Sequence, residues 1–159
     1  MTQIKEAIGI TGNFMESVIT VRSVFDFRGE TFRYESDIPL PPSIDDIDLF
    51  LEQLPNRVAK QNQLDVISYK FEILQSTDME VIRFQSRIES NEVNLPMHIE
   101  EFLEIYQEIG PDAYLLTIAE KYQLNFDENP QIAKALKEAY QLGNAHKAKR
   151  KRPTNHGWW

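Results

Sequence analysis

Three histidines and several carboxylate clusters are the residues best suited to chemistry in this chain of 159 residues. His98 and Glu101 are three residues apart, so a helix would place both side chains on one face. Such a pair could supply two ligands to a metal ion, but two ligands do not complete a site, and the HExxH spacing of zinc enzymes is missing. His98 and Glu101 are therefore weak metal candidates, and the sequence predicts no metal and no other cofactor.

The carboxylate clusters have a simpler explanation than general acid or base catalysis. Each falls in or before the first turn of a predicted helix, where negative charge interacts favourably with the helix dipole. A serine-nucleophile elbow, a P-loop and a dinucleotide fingerprint are all missing from the sequence. We therefore predict no catalytic residue and favour a protein without enzymatic activity. The clusters are Asp45, Asp46 and Asp48; Glu100, Glu101 and Glu104; and Asp127 with Glu128.

Charge is distributed unevenly along the chain. The formal net charge is −8, from 17 Lys and Arg against 25 Asp and Glu, yet residues 147–152 contain five cations and no acid. The remainder carries 12 cations against 25 acids, or −13, and would repel nucleic acid and anionic membranes. The sequence also has no cysteine and no apolar run long enough for a membrane span. These features predict a cytoplasmic protein that makes no membrane contact.

The C-terminus combines this basic run with two final tryptophans, which are unfavourable to leave in water. We expect it to dock on the same chain, on a second copy or on another protein. Binding of nucleic acid through the basic run is the alternative. The predicted partner-binding residues are Lys147, Lys149, Arg150, Lys151, Arg152, Trp158 and Trp159.

Strand periodicity is clearest near the start of the chain. Apolar and polar residues alternate over 19–27 and 32–38, and Gly29 between them suits a tight hairpin turn. A helix is predicted from Ser43, with Ser43 and Asp46 in capping-box spacing, and Pro55 is expected to kink or split it. Alternating residues then predict a second hairpin from strands Leu64–Leu74 and Met79–Glu89.

From Asn94 onward the apolar residues follow a helical period. The first helix is predicted to end at Gly110–Pro111, a second follows, and a third runs from Pro130 to Gly143. The predicted fold is α+β, with a four- or five-stranded antiparallel sheet in ββαββ order and a C-terminal helical segment. We divide the chain into 1–92, 93–143 packed on the same core, and a mobile basic tail at 144–159.

Three functional hypotheses follow. The first is a non-catalytic, acidic interaction protein, an adaptor or chaperone-like binder that forms homo-oligomers. The second is a nucleic-acid-associated protein that acts through the basic tail. The third is a small enzyme or ligand binder with a pocket between sheet and helices.

Overall fold

A computed structural model describes the backbone of residues 17–154 and the side chains of residues 17–146. This part of the chain is α+β, with a four-stranded antiparallel sheet and four helices. The order is two strands, two helices, two strands and two helices, so the predicted fold class is confirmed, whereas the ββαββ order is not. The elements are β1 (Ser17–Phe27), β2 (Glu30–Leu40), α1 (Ile47–Gln61), α2 (Tyr69–Ser76), β3 (Glu80–Gln85), β4 (Met97–His98), α3 (Ile99–Lys121) and α4 (Pro130–Thr154).

The first two strands form the hairpin predicted from the alternating pattern. They pair over their whole length, from Phe27 opposite Glu30 to Ser17 opposite Leu40. Arg28 and Gly29 connect them with φ values of 54° and 81°, which is the signature of a type I′ turn. Because the turn has two residues, Phe27 and Glu30 form a hydrogen-bonded pair, and bonded pairs then recur at every second residue.

The sheet has the order β2-β1-β3-β4, which leaves one side of β2 without a neighbouring strand among the described residues. Helix α1 packs against β2, and α2 packs against β1. One face of the sheet therefore contributes to the hydrophobic core, together with α1, α2 and the first half of α3. The largest fully buried apolar side chains are Tyr106, Phe102, Ile19, Ile38, Leu54, Leu74, Leu103, Val21, Val58 and Val81.

The predicted strand Leu64–Leu74 is wrong, because residues 69–76 form helix α2. Ser68 caps this helix by accepting a hydrogen bond from the Phe71 N–H at 3.2 Å. Phe71 and Leu74 are buried, whereas Tyr69 is exposed, so the true apolar spacing is three residues rather than two. The predicted strand Met79–Glu89 is confirmed over its first part as β3.

The bounds of two helices also differ from the prediction. Helix α1 begins at Ile47 with Asp46 as its cap, and it continues through Pro55 to Gln61 without a break. Helix α3 begins at Ile99 rather than near Asn94, and it continues through Gly110 and Pro111 to Lys121. Proline removes one intrahelical hydrogen bond, but packing of an amphipathic face can maintain a helix at such a site.

The chain divides into two compact units, Met1–Ala113 and Tyr114–Trp159. The first contains the sheet and its core. The second contains the end of α3 and all of α4, which continues to Thr154, past the end predicted at Gly143. Ala119 is its one buried residue among those whose burial is described. Mobility of residues 144–159 stays a prediction.

Helices α1 and α3 end in the same way, a recurrence that the sequence reading missed. In each, a glutamine adopts positive φ, with 57° at Gln63 and 60° at Gln123. The next residue is a leucine whose N–H donates to an alanine carbonyl at 2.8 Å in both turns. The signal was present, because Val58-Ala59-Lys60-Gln61-Asn62-Gln63-Leu64-Asp65 closely resembles Ile118-Ala119-Glu120-Lys121-Tyr122-Gln123-Leu124-Asn125.

Candidate interaction surfaces

His98, the predicted metal candidate, lies at the junction of β4 and α3. Its Nδ1 accepts a hydrogen bond from the Glu100 N–H at 3.2 Å, and its Nε2 is 3.6 Å from an Asp78 carboxylate oxygen. The imidazole therefore caps the first turn of α3 in the manner of an N-cap side chain. Across the described side chains, no group of three or more potential ligands is assembled for a metal ion, and Glu101 does not join His98 in such a group.

Two cavities lie in the N-terminal unit. The smaller, about 160 Å³, is formed by α1, the segment before β3 and the start of α3, and His98 and Asp78 are among its lining residues. The larger, about 640 Å³, lies along the end of β3 and the segment that follows. Glu89 is the one ionisable residue that lines it, and the others are Phe84, Gln85, Ser86, Ile88, Ser90, Asn91, Val93 and Leu95.

The larger cavity is lined mainly by apolar and neutral polar side chains. Phe84 is held by edge-on ring contacts with Phe102 at 5.0 Å and Tyr106 at 6.3 Å between ring centroids. Glu89 is exposed, and no histidine lies in the lining to act on a serine hydroxyl. The aromatic residues Phe25 and Tyr69 do not line this cavity.

The sheet face opposite the core is polar, as its sequence predicts. Cross-strand contacts connect its side chains, including Thr20 to Asp37 at 2.6 Å and Arg22 to Glu80 at 3.4 Å. These contacts favour solubility of an open sheet face, and they add little to the free energy of unfolding. Lys70 and Glu72 fall within the strand predicted at Leu64–Leu74, but they lie on α2 and not on the sheet, because residues 69–76 are helical.

Two polar atoms lie buried in β1 without a hydrogen-bond partner among the described residues. They are the Arg22 Nε on the polar face and the Ser23 hydroxyl in the core. Unpaired buried groups reduce stability by about 1–3 kcal/mol each. No hydrogen bond connects the Ser23 hydroxyl to a titratable side chain among the described residues.

An exposed apolar patch lies where the connection from α1 enters α2. We define it as Val66, Ile67 and Tyr69, which are 50%, 87% and 70% exposed. The adjacent Lys70 places its Nζ 3.9 Å from the centre of the Phe32 ring. This contact connects the side chain of Lys70, in the first turn of α2, to β2.

The outer edge of β2 is the second exposed surface. In the ladder set by the turn, residues with even numbers from 30 to 40 bond to β1, and residues with odd numbers direct their backbone groups outward. Consistent with this, the outward carbonyl of Asp37 accepts a bond from Gln61, the last residue of α1, at 2.9 Å. The outward carbonyl of Glu35 accepts a bond from the C-cap residue Asn62 at 3.2 Å. No bond to the outward N–H groups of Thr31 and Arg33 is formed by any described residue.

Five of the predicted partner-binding residues belong to α4, but the structure describes only their backbone and not their side chains. They are Lys147, Lys149, Arg150, Lys151 and Arg152. Trp158 and Trp159 are also outside the described residues. Charge divides with the units: Met1–Ala113 has 21 acidic and nine basic residues, or −12, whereas Tyr114–Trp159 has four acidic and eight basic residues, or +4.

Comparison of the chain with protein-family models, with curated proteins and with solved structures finds no match. Across residues 17–154, no helix combines the length and the apolar character that a membrane crossing requires. The surfaces above are therefore the observations on which a functional proposal must depend.

Proposed function

We propose that this chain is a non-catalytic, self-associating interaction protein of the cytoplasm. The observation that carries the proposal is the exposed apolar patch Val66, Ile67 and Tyr69. The outer side of β2, which has no neighbouring strand among the described residues, offers a second surface for association. Full burial of a large apolar side chain contributes about 1.5–3 kcal/mol to stability. Within one chain Ile67 is 87% exposed, so most of this stabilisation is not gained. Contact with a second copy would recover it.

The chemistry of the described residues supports the same proposal. His98 is engaged in capping α3, and the large cavity presents one exposed carboxylate. Polar residues elsewhere on the sheet bond to one another across strands. Binding through a surface therefore explains more of the described side chains than a reaction centre does.

Measurement of mass in solution tests this function. Light scattering after size-exclusion chromatography, over a range of protein concentrations, is expected to show a mass above 18.6 kDa that increases with concentration. The double substitution Ile67→Ser with Tyr69→Ser is expected to shift the chain toward the monomer. Leu142→Ser, at a position 74% exposed on α4, is the matched control and should leave the mass unchanged.

A monomer at every concentration would contradict the proposal, as would a patch variant that associates like the original chain. Circular dichroism of each variant shows whether its fold is intact. Deletion of residues 144–159 tests the tail separately, because loss of association in that variant alone would place the contact on the tail instead of the patch.

The separation of charge favours one second candidate, which is binding of nucleic acid through α4. Its C-terminal unit has a net charge of +4, and the basic run 147–152 lies on this helix. A basic helix can neutralise phosphates, and the resulting affinity falls steeply with salt. The acidic N-terminal unit would not contribute to such an interface.

A filter-binding titration with double-stranded and single-stranded nucleic acid at two salt concentrations tests this candidate. We expect affinity that falls by about tenfold or more from 50 to 200 mM salt. It should disappear when Lys149, Arg150, Lys151 and Arg152 are replaced by alanine, whereas Lys60→Ala and Lys70→Ala in the acidic unit should have no effect. Absence of binding at 50 mM salt would exclude the candidate.

A further inference from the structure

We infer that two copies of this chain pair through the outer edges of their β2 strands, antiparallel and about a two-fold axis at Tyr34. The two sheets would then continue into one another, with Arg33 of each copy opposite Glu35 of the other. This inference rests on the proposed function and identifies the surface and register through which self-association occurs.

The direction of the backbone groups in β2 supports this pairing. Since the two-residue turn fixes Phe27 and Glu30 as a bonded pair, the amides of Thr31, Arg33 and Glu35 face away from β1. The edge is long, because β2 has 11 residues, and Thr31, Arg33, Glu35 and Asp37 are all exposed. A strand with this many outward N–H and C=O groups is a template for another strand.

The two ends of the edge define how far the strands can overlap. Pro39 lies at an outward position and has no N–H to donate, so pairing is expected to stop before it. At the other end, β2 begins immediately after Gly29 in the turn. A two-fold axis at Tyr34 places Pro39 of one copy opposite Gly29 of the other, so residues 30–38 of both strands pair and the proline falls outside.

Charge selects this register over its two neighbours. An axis at Arg33 would place two arginines directly opposite each other, and an axis at Glu35 would place two glutamates directly opposite each other. An axis at Tyr34 instead gives two Arg33–Glu35 pairs and places Thr31 opposite Asp37. All four residues project from the polar face of the sheet, so these opposite charges would be neighbours at the surface.

The hydrogen bond from Asn62, the C-cap of α1, to β2 is compatible with this pairing. Asn62 donates to the Glu35 carbonyl and to the Ser36 hydroxyl, and Ser36 is buried on the core side of the sheet. Asn62 therefore approaches from the core side, and a carbonyl oxygen has a second lone pair for a donor in the plane of the sheet. Lys70, at the start of α2, contacts the ring of Phe32 within the paired segment, so the start of α2 would lie near the second copy.

Disulfide trapping tests the register, because the chain has no cysteine of its own. Residues in a hydrogen-bonded antiparallel pair have Cα atoms about 5.5 Å apart, within the range that a disulfide spans. Mixing the Arg33→Cys chain with the Glu35→Cys chain under mild oxidation is expected to give a cross-linked dimer that mass spectrometry identifies as mixed. Each chain alone is the matched control and should give little cross-linking.

A charge exchange tests the same contact without oxidation. Arg33→Glu is expected to raise the dissociation constant of the dimer about tenfold, because it places like charges in both pairs. The double variant Arg33→Glu with Glu35→Arg restores opposite charges and is expected to recover the original affinity. Lys60→Glu, an equal change of charge on α1, controls for the effect of net charge.

The outcomes separate this inference from the proposed function. A monomeric original chain overturns both. An oligomer that loses association in the patch variant, yet shows no mixed disulfide and no effect of Arg33→Glu, overturns the β2 pairing alone. Efficient cross-linking of the Arg33→Cys chain by itself would place the axis at Arg33 and overturn the register.

Discussion

Helices α1 and α3 contain an internal proline and end in the same eight-residue pattern, yet the two ends differ in burial. Val58 in α1 is fully buried in the core, whereas Ile118 at the matching position in α3 is 46% exposed. The backbone bonds agree, with Leu64 and Leu124 each donating to an alanine carbonyl at 2.8 Å. Local sequence thus determines the turn, and the surrounding structure determines how much each side chain stabilises it.

The largest effect should come from shortening the matched apolar side chains. Val58→Ala is expected to reduce the free energy of unfolding by about 2 kcal/mol, since it removes buried methyl groups and leaves a cavity. Ile118→Ala should reduce it by less than about 0.5 kcal/mol, because nearly half of that side chain is already in water. Urea denaturation followed by circular dichroism measures both, and equal losses would refute the comparison.

A second prediction concerns what holds the first half of α3. A Cβ atom at Gly110 would lie 2.6 Å from the Tyr106 ring, whose hydroxyl donates to the Pro41 carbonyl at 2.7 Å. Gly110→Ala is therefore expected to lower stability by about 1–2 kcal/mol through overpacking.

Gly143→Ala in α4 is the matched control for this prediction. Apart from its own stretch of helix, no atom of the described residues lies within 4 Å of its added Cβ, so alanine should favour the helix by up to about 1 kcal/mol. Thermal unfolding of both variants, followed by circular dichroism, shows whether each substitution raises or lowers stability. A stabilised Gly110→Ala chain would show that the Tyr106 ring moves aside at little cost.

A smaller loss of stability is expected when a side-chain hydrogen bond is removed from the loop that follows each of these two turns. Asp65 Oδ1 accepts the Ile67 N–H at 2.9 Å, and Asn125 Oδ1 accepts the Asp127 N–H at 2.8 Å. Replacement of either residue by alanine should cost about 0.5–1 kcal/mol. Asp65→Asn and Asn125→Asp retain the acceptor and should have little effect. Hydrogen exchange at the Leu64 and Leu124 amides measures each loop separately.

The smallest effect is expected at the two glutamines with positive φ. Gln63→Gly and Gln123→Gly should each stabilise the chain by about 0.5 kcal/mol, because glycine adopts this conformation without a steric penalty. Glu104→Gly, within α3, should instead destabilise it by about 0.5–1 kcal/mol. Denaturation curves for the three variants measure these changes in the free energy of unfolding. A destabilised Gln123→Gly chain would show that the two turns respond differently to glycine.

The first hairpin and the α+β class were predictable because both depend on local signals, namely alternation and a glycine turn. Helix α2 was not, because Tyr69, Phe71 and Ile73 also alternate, and only burial of Phe71 with Leu74 reveals the helical spacing. Pro55 was expected to kink or split its helix and Pro111 to end one, but both lie inside continuous helices whose apolar faces are packed.

The candidate surfaces were less predictable than the fold. The capping role of His98 depends on β4 ending immediately before α3, which the sequence pattern does not show. Exposure of the patch depends on the orientation of α2, and the outer edge of β2 depends on which strand neighbours β1. The sequence pattern predicts partner binding at the basic C-terminus, which stays a prediction, and it names neither of the two surfaces in the N-terminal unit.

The tight turn at Arg28 and Gly29 also has a consequence for the order of folding. A hairpin closed by two residues forms in about 1–10 μs, whereas β3 joins β1 only after a much longer stretch of chain has been ordered. During that interval both sides of the hairpin are unprotected. Newly made chains at high concentration are therefore expected to meet one another as nascent hairpins, and rapid dilution should improve the yield on refolding.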